Sequence, residues 1–313
     1  DHFYLIDGSG YIFRAYYALP PLSRKSDGLP TGAVSGFCSM LFKLLEDSKS
    51  KENLKKPTHF AVIFDSARKT FRNEIYSDYK ANRSEPPDDL APQFEYIRKS
   101  VLAFNLPSVD LTNYEADDLI ATYVDQILEK GAKVTIVSSD KDFLQLLDDE
   151  TVLYRPIQKK AWTKNTVIEE YGISPENFVI ARAIAGDKSD NLAGIKGAGL
   201  PTIAKRLPFL IDNEMHTLSE VYDHCANAEG KLKFHERIVE DWDVVETNYK
   251  VMNLTPPSIS VQGRRKVNYA LDNFEFELNA TELKRASVEH GFGSYDWSEL
   301  MAMLRGIVEK NKM

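Results

Sequence analysis

In this 313-residue chain, the stretch Asn113-Tyr-Glu-Ala-Asp-Asp-Leu-Ile-Ala-Thr-Tyr-Val-Asp-Gln-Ile-Leu-Glu129 decides how the rest of the sequence is interpreted. Its first turn carries three carboxylates, and the helix dipole favours one or two acids there. On such a helix Asp117 borders the apolar stripe, whereas Asp118 points away from it. The second half predicts an amphipathic helix with one apolar face, formed by Leu119, Ile120, Tyr123, Val124, Ile127 and Leu128.

Three apolar runs elsewhere in the chain each stop at an aspartate. They are Phe3 to Asp7, Phe60 to Asp65 and Lys133 to Asp140. Strands of this kind, alternating with helices, predict a mostly parallel central sheet flanked by helices, an α/β fold. Ligands bind beyond the carboxyl ends of such strands. One aspartate at a strand end is usually a turn or cap residue, but three predict a shared site.

The order of the elements predicts an α/β core over 1–164 and a mainly helical region over 165–313. Gly8-Ser9-Gly10 predicts a turn after the first strand. Further helices are expected over 33–47 and 92–104, and a terminal helix over 297–309.

Residues 66–95 have a different composition from the rest of the core. Basic and aromatic side chains alternate there without a continuous apolar face, which predicts a mobile, partly helical excursion. A solvated basic surface is the simpler interpretation of that cluster taken alone. The residues concerned include Arg68, Arg72, Tyr79, Lys80 and Arg83.

Two features follow at the start of the helical region. Asp187 and Asp190 lie three residues apart and share a face if helical. Residues 192–206 predict a helix, a hairpin at Gly197-Ala-Gly199 and a second helix, with Pro201 suited to its first turn. A glycine-rich connection between helices is common, so the hairpin alone is a weak signal.

Bulk composition limits the possible classes of protein. Apolar residues make up 43% of the chain and charged residues 27%, as in ordinary globular proteins. No apolar run approaches the roughly 18 residues of a membrane span. There is no signal-peptide pattern, and because the chain starts at Asp1 we expect the natural N-terminus to be missing. Two isolated cysteines, Cys38 and Cys225, indicate a reducing, cytoplasmic setting and no zinc site.

If the predicted topology is right, the strand-end and helix acids converge. Two unneutralised carboxylates about 4 Å apart repel by roughly 4 kcal/mol at an effective dielectric of 20, so cations should bind. Oxygen ligands without His or Cys favour Mg²⁺ or Mn²⁺. Two such ions can activate water and stabilise the leaving oxygen in phosphodiester hydrolysis. The candidate metal ligands are Asp7, Asp65, Glu115, Asp117, Asp118, Asp140, Asp142, Asp187 and Asp190.

The distribution of charge is compatible with a nucleic-acid partner although the net charge is −8. The candidate metal ligands account for all of that excess, so the remaining surface is near neutral. Basic clusters at 68–83, 159–164 and 264–266 can contact phosphates.

Six motifs in order carry a resemblance to a known family: Leu5-Ile-Asp-Gly-Ser9, Val62-Ile-Phe-Asp65, Tyr79-Lys-Ala-Asn-Arg83, Glu115-Ala-Asp-Asp118, Ser139-Asp-Lys-Asp142 and Gly186-Asp-Lys-Ser-Asp-Asn191. Over about residues 1–206 the chain resembles the flap endonuclease or 5′-to-3′ exonuclease family. That family includes the nuclease domain of bacterial DNA polymerase I and stand-alone phage enzymes. The motifs at 114–118 and 136–140 look most like the T-even phage ribonuclease H branch, which favours a stand-alone phage replication nuclease.

The resemblance implies a 5′ nuclease fold and a two-metal hydrolase acting near 5′ ends, with ribonuclease H activity a further option. Residues 66–95 match the helical arch of the family, in which Lys80 and Arg83 match the basic pair that contacts the scissile phosphate. The helix-hairpin-helix at about 186–206 is expected to bind duplex backbone together with K⁺. Leu200-Pro201 departs from the polar or basic pair usual there. The implied DNA-binding residues are Arg68, Arg72, Tyr79 as a base-stacking residue, Lys196, Gly197, Gly199, Thr202 and Lys205.

The expected partners are DNA with a 5′ flap, nick or RNA primer, and single-strand-binding or other replication proteins. A monomer that does not bind membranes is expected. Two other functions stay open: a non-catalytic DNA-binding module of the same fold, and a phosphatase or nucleotide hydrolase with acid-bound Mg²⁺. The complete set of acids favours the nuclease.

Overall fold

We analysed a computed structural model of the chain, which describes residues 1–50, 54–67, 69–104, 106–230, 232–255, 259–273, 280–290, 302 and 305. Arg68 and almost all of the helix predicted over 297–309 lie outside the described residues. No described helix is long and apolar enough to cross a membrane.

The centre of the fold is a six-stranded sheet with strand order β3-β2-β1-β4-β5-β6. Five strands run parallel and β6 runs antiparallel to β5. The strands are β1 (His2–Asp7), β2 (His59–Ile63), β3 (Ser108–Val109), β4 (Lys133–Val137), β5 (Thr151–Arg155) and β6 (Lys160–Trp162).

The register of β1 defines the edge of the sheet at which the acids collect. Asp7 pairs with Ile63 of β2, and Ile6 pairs with Val137 of β4. From β1 the chain first builds β2 and β3 on one side, and it then crosses back to place β4 on the other side of β1. This reversal of strand order is the topological switch point, beyond which ligands bind in open α/β sheets.

Helices cover both faces of the sheet. On one face the core contains α1, α2, α4 and part of α13, and on the other it contains α5 to α12. The helices are α1 (Gly8–Ala18), α2 (Gly32–Ser50), α3 (Arg72–Ile75), α4 (Gln93–Ala103), α5 (Ala116–Glu129), α6 (Lys164–Tyr171), α7 (Pro175–Ala185), α8 (Leu200–Arg206), α9 (Leu218–Asn227), α10 (Lys233–Glu240), α11 (Trp242–Met252), α12 (Val261–Asp272) and α13 (Ala280–His290).

The predicted α/β architecture is confirmed, as are the helix after the acidic turn and the helical character of the chain after β6. The core around Leu5, Leu119 and Ile136 continues without interruption to Ile184 and Val245. The later helices therefore share one hydrophobic core with the sheet, because their apolar faces close its second side.

Several local predictions are wrong. Gly8-Ser9-Gly10 is the first turn of α1 rather than a connecting turn, because the Asp7 side chain caps that helix. The edge strand β6 was not predicted. No helix begins at Leu192: residues 192–199 are irregular, and the helices that flank the hairpin are α7 and α8.

Candidate functional site

Asp7 anchors the site at the end of the central strand. One carboxylate oxygen accepts a hydrogen bond from the Gly10 amide at 2.8 Å, and the other accepts one from Ser138 Oγ at 2.7 Å. A Cβ atom at Gly8 would stand 2.6 Å from the Phe64 ring, so glycine allows α1 to start directly against β2. The aspartate is therefore held between the first turn of α1 and the residue that follows β4.

Asp65 lies in the loop after β2 and Asp140 in the loop after β4, and each accepts a hydrogen bond from a backbone amide. Asp65 accepts a hydrogen bond from the Ala116 amide at 2.8 Å, which joins it to the first turn of α5. Asp140 accepts one from the Asp142 amide at 2.9 Å. The topology thus brings all three strand-end aspartates to one edge of the sheet, as the sequence predicted.

Four carboxylates form what we call the open acids: Asp7, Asp65, Asp117 and Asp140. Within the described part of the chain none of them forms an ion pair, and Asp117 receives no hydrogen bond. Burial raises the pKa of Asp7 to about 6, and the charges of Asp65 and Asp140 contribute to that rise. Burial, followed by the charges of Asp140 and Asp7, raises the pKa of Asp117 well above its usual value. These carboxylates lie close enough to repel one another.

The other five candidate ligands are already next to cations, and we call them the paired acids: Glu115, Asp118, Asp142, Asp187 and Asp190. Lys80 Nζ lies 2.7 Å from Glu115, and Arg83 pairs with Asp190. Although burial acts to raise it, the charges of Lys80 and Arg72 hold the pKa of Glu115 below its usual value. Lys80 and Arg83 of the excursion are therefore both in ion pairs with candidate metal ligands.

Arg182 on α7 bridges two further paired acids. Its Nε donates to Asp142 at 3.0 Å, and its guanidinium also pairs with Asp187. Burial and the charge of Asp140 nevertheless raise the pKa of Asp142 to about 7. Asp187 also accepts hydrogen bonds from the amide and hydroxyl of Ser189, at 2.7 Å and 2.6 Å. Asp142 therefore shares properties of both groups: it pairs with a cation, and its pKa is nevertheless raised.

Asp118 is not placed as a metal ligand, and Arg72 is not placed as a DNA-binding residue. Arg72 forms two hydrogen bonds with Asp118, at 2.6 Å and 2.8 Å, and both side chains are buried. Arg72 Nε also donates to the carbonyl of Val251 at 2.8 Å. The prediction that Asp118 points away from the core is wrong because Arg72 supplies a buried partner for it.

The excursion is also more firmly packed around Tyr79 than predicted. Tyr79 is only 7% exposed, and its hydroxyl donates to Glu115 at 3.2 Å and to Asp190 at 3.3 Å, so it is not placed to stack on a base. Residues 76–83 form turns instead of a helix, with Lys80 in the left-handed region at φ 55°. The Lys80 amide donates to the Asp190 carbonyl at 3.0 Å, which joins the excursion to the loop after α7.

The donor set suits an oxygen-preferring divalent cation by its chemistry. A cavity of about 10 Å³, enough for about one water-sized sphere, is lined by Asp117, Asp142 and Asp190 together with Arg72 and Tyr79. Across the described residues, however, no three His, Cys, Asp or Glu side chains converge closely enough to form a finished metal site. Burial first, and the neighbouring carboxylate charges second, raise the pKa values of Asp7, Asp117 and Asp142, and Lys80 and Arg182 supply part of the positive charge at the cluster.

A larger open cavity of about 360 Å³ borders the open acids. Asp7 and Asp140 lie on one side of it, and Tyr11 and Arg14 of α1 lie on another. Its size is within the range of small-ligand pockets. The acids are thus reachable from solvent on this side of the sheet.

The predicted duplex-binding residues lie together on the surface around the hairpin. Lys196, Gly197, Gly199 and Lys205 are exposed, and Thr202 is half-buried. Among the described residues, the amides of Gly197 and Gly199 donate no hydrogen bond to the protein. Such amides and lysines can contact phosphate oxygens.

Sequence interpretation missed Arg182 and Ser138. Arg182 lies in the last turn of α7, where a cation is favoured by the helix dipole and faces the acidic loop that follows. Because Arg182 precedes Asp187 by only five residues, the sequence could have predicted that the two side chains pair. Ser138 gave none, because its role depends on the pairing of β1 with β4.

Comparison with known proteins agrees with this geometry. Residues 2–172 match the family described as "5′-3′ exonuclease, N-terminal resolvase-like domain". A crystal structure of the bacteriophage T5 D15 flap endonuclease, a pseudo-enzyme-product complex with DNA and metal ions, has a TM-score of 0.64 at 18% identity, covering 97% of this chain and 100% of that one. The fold is the 5′ nuclease fold. The chain belongs to the 5′-3′ exonuclease family.

Two sequence relatives show how the chain relates to larger proteins. DNA polymerase I of Rhizobium leguminosarum is 53% identical over 207 residues, which are 66% of this chain and 20% of the polymerase. A 5′-3′ exonuclease of Aquifex aeolicus is 40% identical over 199 residues, 64% of this chain and 66% of that protein. The chain thus spans about a fifth of the first relative's length. Both relatives are bacterial, so they do not support the phage source that two short motifs favoured.

Proposed function

We propose that this chain is a structure-specific, divalent-metal-dependent 5′ nuclease, acting as a flap endonuclease and 5′-to-3′ exonuclease on DNA or RNA-primed DNA. The observation that carries the proposal is Asp117: a half-buried carboxylate with no hydrogen bond in the described structure, beside Asp7 and Asp140 at the switch point of the sheet. Such a group favours a bound cation over a purely structural role.

The open acids, together with Glu115, Asp142, Asp187 and Asp190, would hold two Mg²⁺ or Mn²⁺ ions. Bound there, the ions would act as Lewis acids that lower the pKa of water and neutralise the leaving oxygen. The chain's own residues orient the ligands: Ser138 and the Gly10 amide fix both oxygens of Asp7, and the Ala116 amide fixes Asp65.

Lys80 and Arg83 are the residues that we assign to the scissile phosphate. Both already reach the acid cluster, on Glu115 and Asp190. Metal ions bound by these acids would replace Lys80 and Arg83 as their partners, and the two side chains would then be available to the phosphate. Their charge would then stabilise the negative charge that develops on the phosphate oxygens in the transition state.

The helices after β6 would bind duplex DNA without reading its sequence. We assign 1–164 to catalysis and 165–313 mainly to DNA binding, with Lys196, Gly197, Gly199, Thr202 and Lys205 at the backbone. The chemistry implies a cytoplasmic setting, bacterial or in a phage-infected cell, and replication or repair as the process. Single-strand-binding or other replication proteins are the expected partners of a monomer.

The test is cleavage of three labelled substrates in Mg²⁺: a 5′ flap, a nick and an RNA-primed duplex. We expect short products from the 5′ end, and no products in EDTA. Binding without cleavage would instead identify a non-catalytic DNA-binding module. Release of phosphate from free nucleotides, with the flap intact, would identify a nucleotide hydrolase. Ribonuclease H activity would appear as removal of the RNA primer.

A further inference from the structure

Arg237 of α10 lies at the hairpin although it is 40 residues away in sequence. Its Nη1 donates to the carbonyl of Lys196 at 3.0 Å. A Cβ atom at Gly197, where φ is +82°, would stand 3.6 Å from the same nitrogen. The guanidinium therefore lies directly against the turn whose amides are free to meet phosphate.

No carboxylate neutralises this guanidinium in the part of the chain that the structure describes. Arginine has five N–H donors in a planar fork, and one of them is used on Lys196. The side chain is half-buried, and α10 is fixed in the core by Ile238, which is fully buried. A fixed cation with spare donors beside exposed backbone amides has the properties of a phosphate-binding group.

The same contact bears on the potassium ion that the family resemblance implies at the hairpin. Three carbonyls of the turn already accept protein donors. Ala193 O accepts from Asn248 Nδ2 at 2.7 Å, Ile195 O from the Ala198 amide at 3.0 Å, and Lys196 O from Arg237. Each carbonyl keeps a second lone pair, but the guanidinium that lies 3.0 Å from the Lys196 carbonyl carries a fixed positive charge that would repel a second cation. This turn therefore does not fit a potassium site as it stands.

We propose that Arg237 is a phosphate-binding residue for duplex DNA and takes the place of a hairpin potassium ion. The inference rests on the proposed function, because it deepens the account of how that function holds its substrate. It assigns the positive charge at the turn to a side chain of α10 instead of to a bound ion.

The experiment measures equilibrium binding of the whole chain to a nicked DNA duplex by fluorescence anisotropy in EDTA, across a salt series in KCl and in NaCl. Wild-type affinity should agree between the two salts within about twofold. Arg237→Ala should weaken binding roughly tenfold and lower the slope of log K against log salt by about one.

Arg237→Gln separates phosphate binding from a structural role, because glutamine keeps a polar side chain with a similar aliphatic stem but carries no charge. We expect it to keep the thermal stability of the wild type and to lose the same unit of salt slope. Arg285→Ala is the matched control: Arg285 lies on α13, which packs against the other face of the sheet, and it pairs with Glu282. It should bind like the wild type.

Two results would overturn the inference. One is an unchanged salt slope in both Arg237 variants, and the other is a severalfold preference of the wild type for KCl. A wild-type chain that neither binds nor cleaves any of the DNA substrates would overturn the proposed function itself. Cleavage by the wild type combined with unaltered binding by Arg237→Ala would remove only the inference.

Discussion

Asp117 and Asp118 are consecutive residues in the first turn of α5, yet they lie in opposite electrostatic surroundings. Asp118 is buried with both oxygens bound by Arg72, whereas Asp117 has no hydrogen bond in the described structure and faces Asp7 and Asp140. The same division separates the paired acids from the open acids. The paired acids are neutralised by the protein, apart from Asp142, whose pKa stays raised although Arg182 is next to it. The open acids retain a repulsion that an external cation or a proton can relieve.

The largest effect that would test this comparison is the loss of a paired acid. Asp118→Asn leaves Arg72 buried without an anion, and we expect the free energy of unfolding to fall by about 3–5 kcal/mol. Urea denaturation in EDTA measures it. The double variant Arg72→Met/Asp118→Leu is the control and should recover most of the loss. A single variant as stable as the wild type would show that Asp118 is not a structural acid.

Loss of an open acid should affect activity instead of folding. Asp140→Asn should lower single-turnover cleavage in Mg²⁺ by at least about 100-fold, roughly 2.7 kcal/mol of barrier, because one ligand of the proposed ions is removed. The unfolding midpoint in EDTA should not fall. Asp149→Asn, an exposed position further along the chain, is the matched control. Near wild-type cleavage by Asp140→Asn would remove Asp140 from the proposed metal centre.

Lys80 has two assignments: it pairs with Glu115 in this structure, and we propose that it contacts the scissile phosphate during the reaction. We predict that Lys80→Ala slows single-turnover cleavage at saturating DNA by about tenfold, or about 1.4 kcal/mol. The affinity for DNA should change much less, because the interaction is stronger in the transition state than in the ground state.

Lys69→Ala is the control for Lys80, because Lys69 is exposed in the same basic segment and should affect only the collection of DNA. If saturating DNA restores the full rate of Lys80→Ala, its charge serves binding alone. The ion pairs of Lys80 and Arg83 also hold residues 76–83 against the acids. These residues should therefore become less protected from hydrogen exchange if Mg²⁺ displaces the two side chains.

The smallest effect concerns stability without metal. A carboxyl whose folded pKa is raised contributes stability below its usual pKa, near 4, and loses it as pH rises through the folded value. For Asp7 and Asp142 those values are about 6 and about 7. In EDTA the contribution of these two carboxyls should therefore be lost between about pH 4 and pH 7. Burial lowers the pKa of His2 and His59 to about 4, which gives an opposing gain over the same range. Calorimetry of the wild type against Asp7→Asn and Asp142→Asn across that range isolates the loss.

Asp117→Asn should reduce that loss and raise the unfolding free energy at pH 8 by about 1 kcal/mol, since one repelling charge is gone. Saturating Mg²⁺ should stabilise the wild type more than this variant. If Asp117→Asn lowers stability at pH 8, the open acids are not under the repulsion described here.

The sequence alone was sufficient to predict the central parallel strands and the strand-end aspartates. Apolar runs that end in Asp7, Asp65 and Asp140 are local features of the sequence. They predict parallel strands and the edge of the sheet at which the three aspartates meet. The start of α5 was equally readable from its acids and its apolar stripe.

The pairing of acids with cations could not be predicted from local pattern. Arg72 reaches Asp118 across 46 residues, and Lys80 reaches Glu115 across 35. Basic residues in a polar segment look the same whether they are solvated or buried, so Arg72 and Tyr79 were assigned to DNA. Arg237 gave no signal at all, since its contact with Lys196 depends on how α10 packs beside the hairpin.

Both edges of the sheet are short, and this bears on the behaviour of the protein in concentrated solution. At one edge β3 has two residues, and at the other β6 has three and begins at an exposed lysine, Lys160. Unpaired strand edges are templates on which other chains can add a strand, and short or lysine-bearing edges hinder such addition. The parallel strands that form the centre of the fold are thereby kept from edge-to-edge aggregation, even though their sequences are strongly apolar.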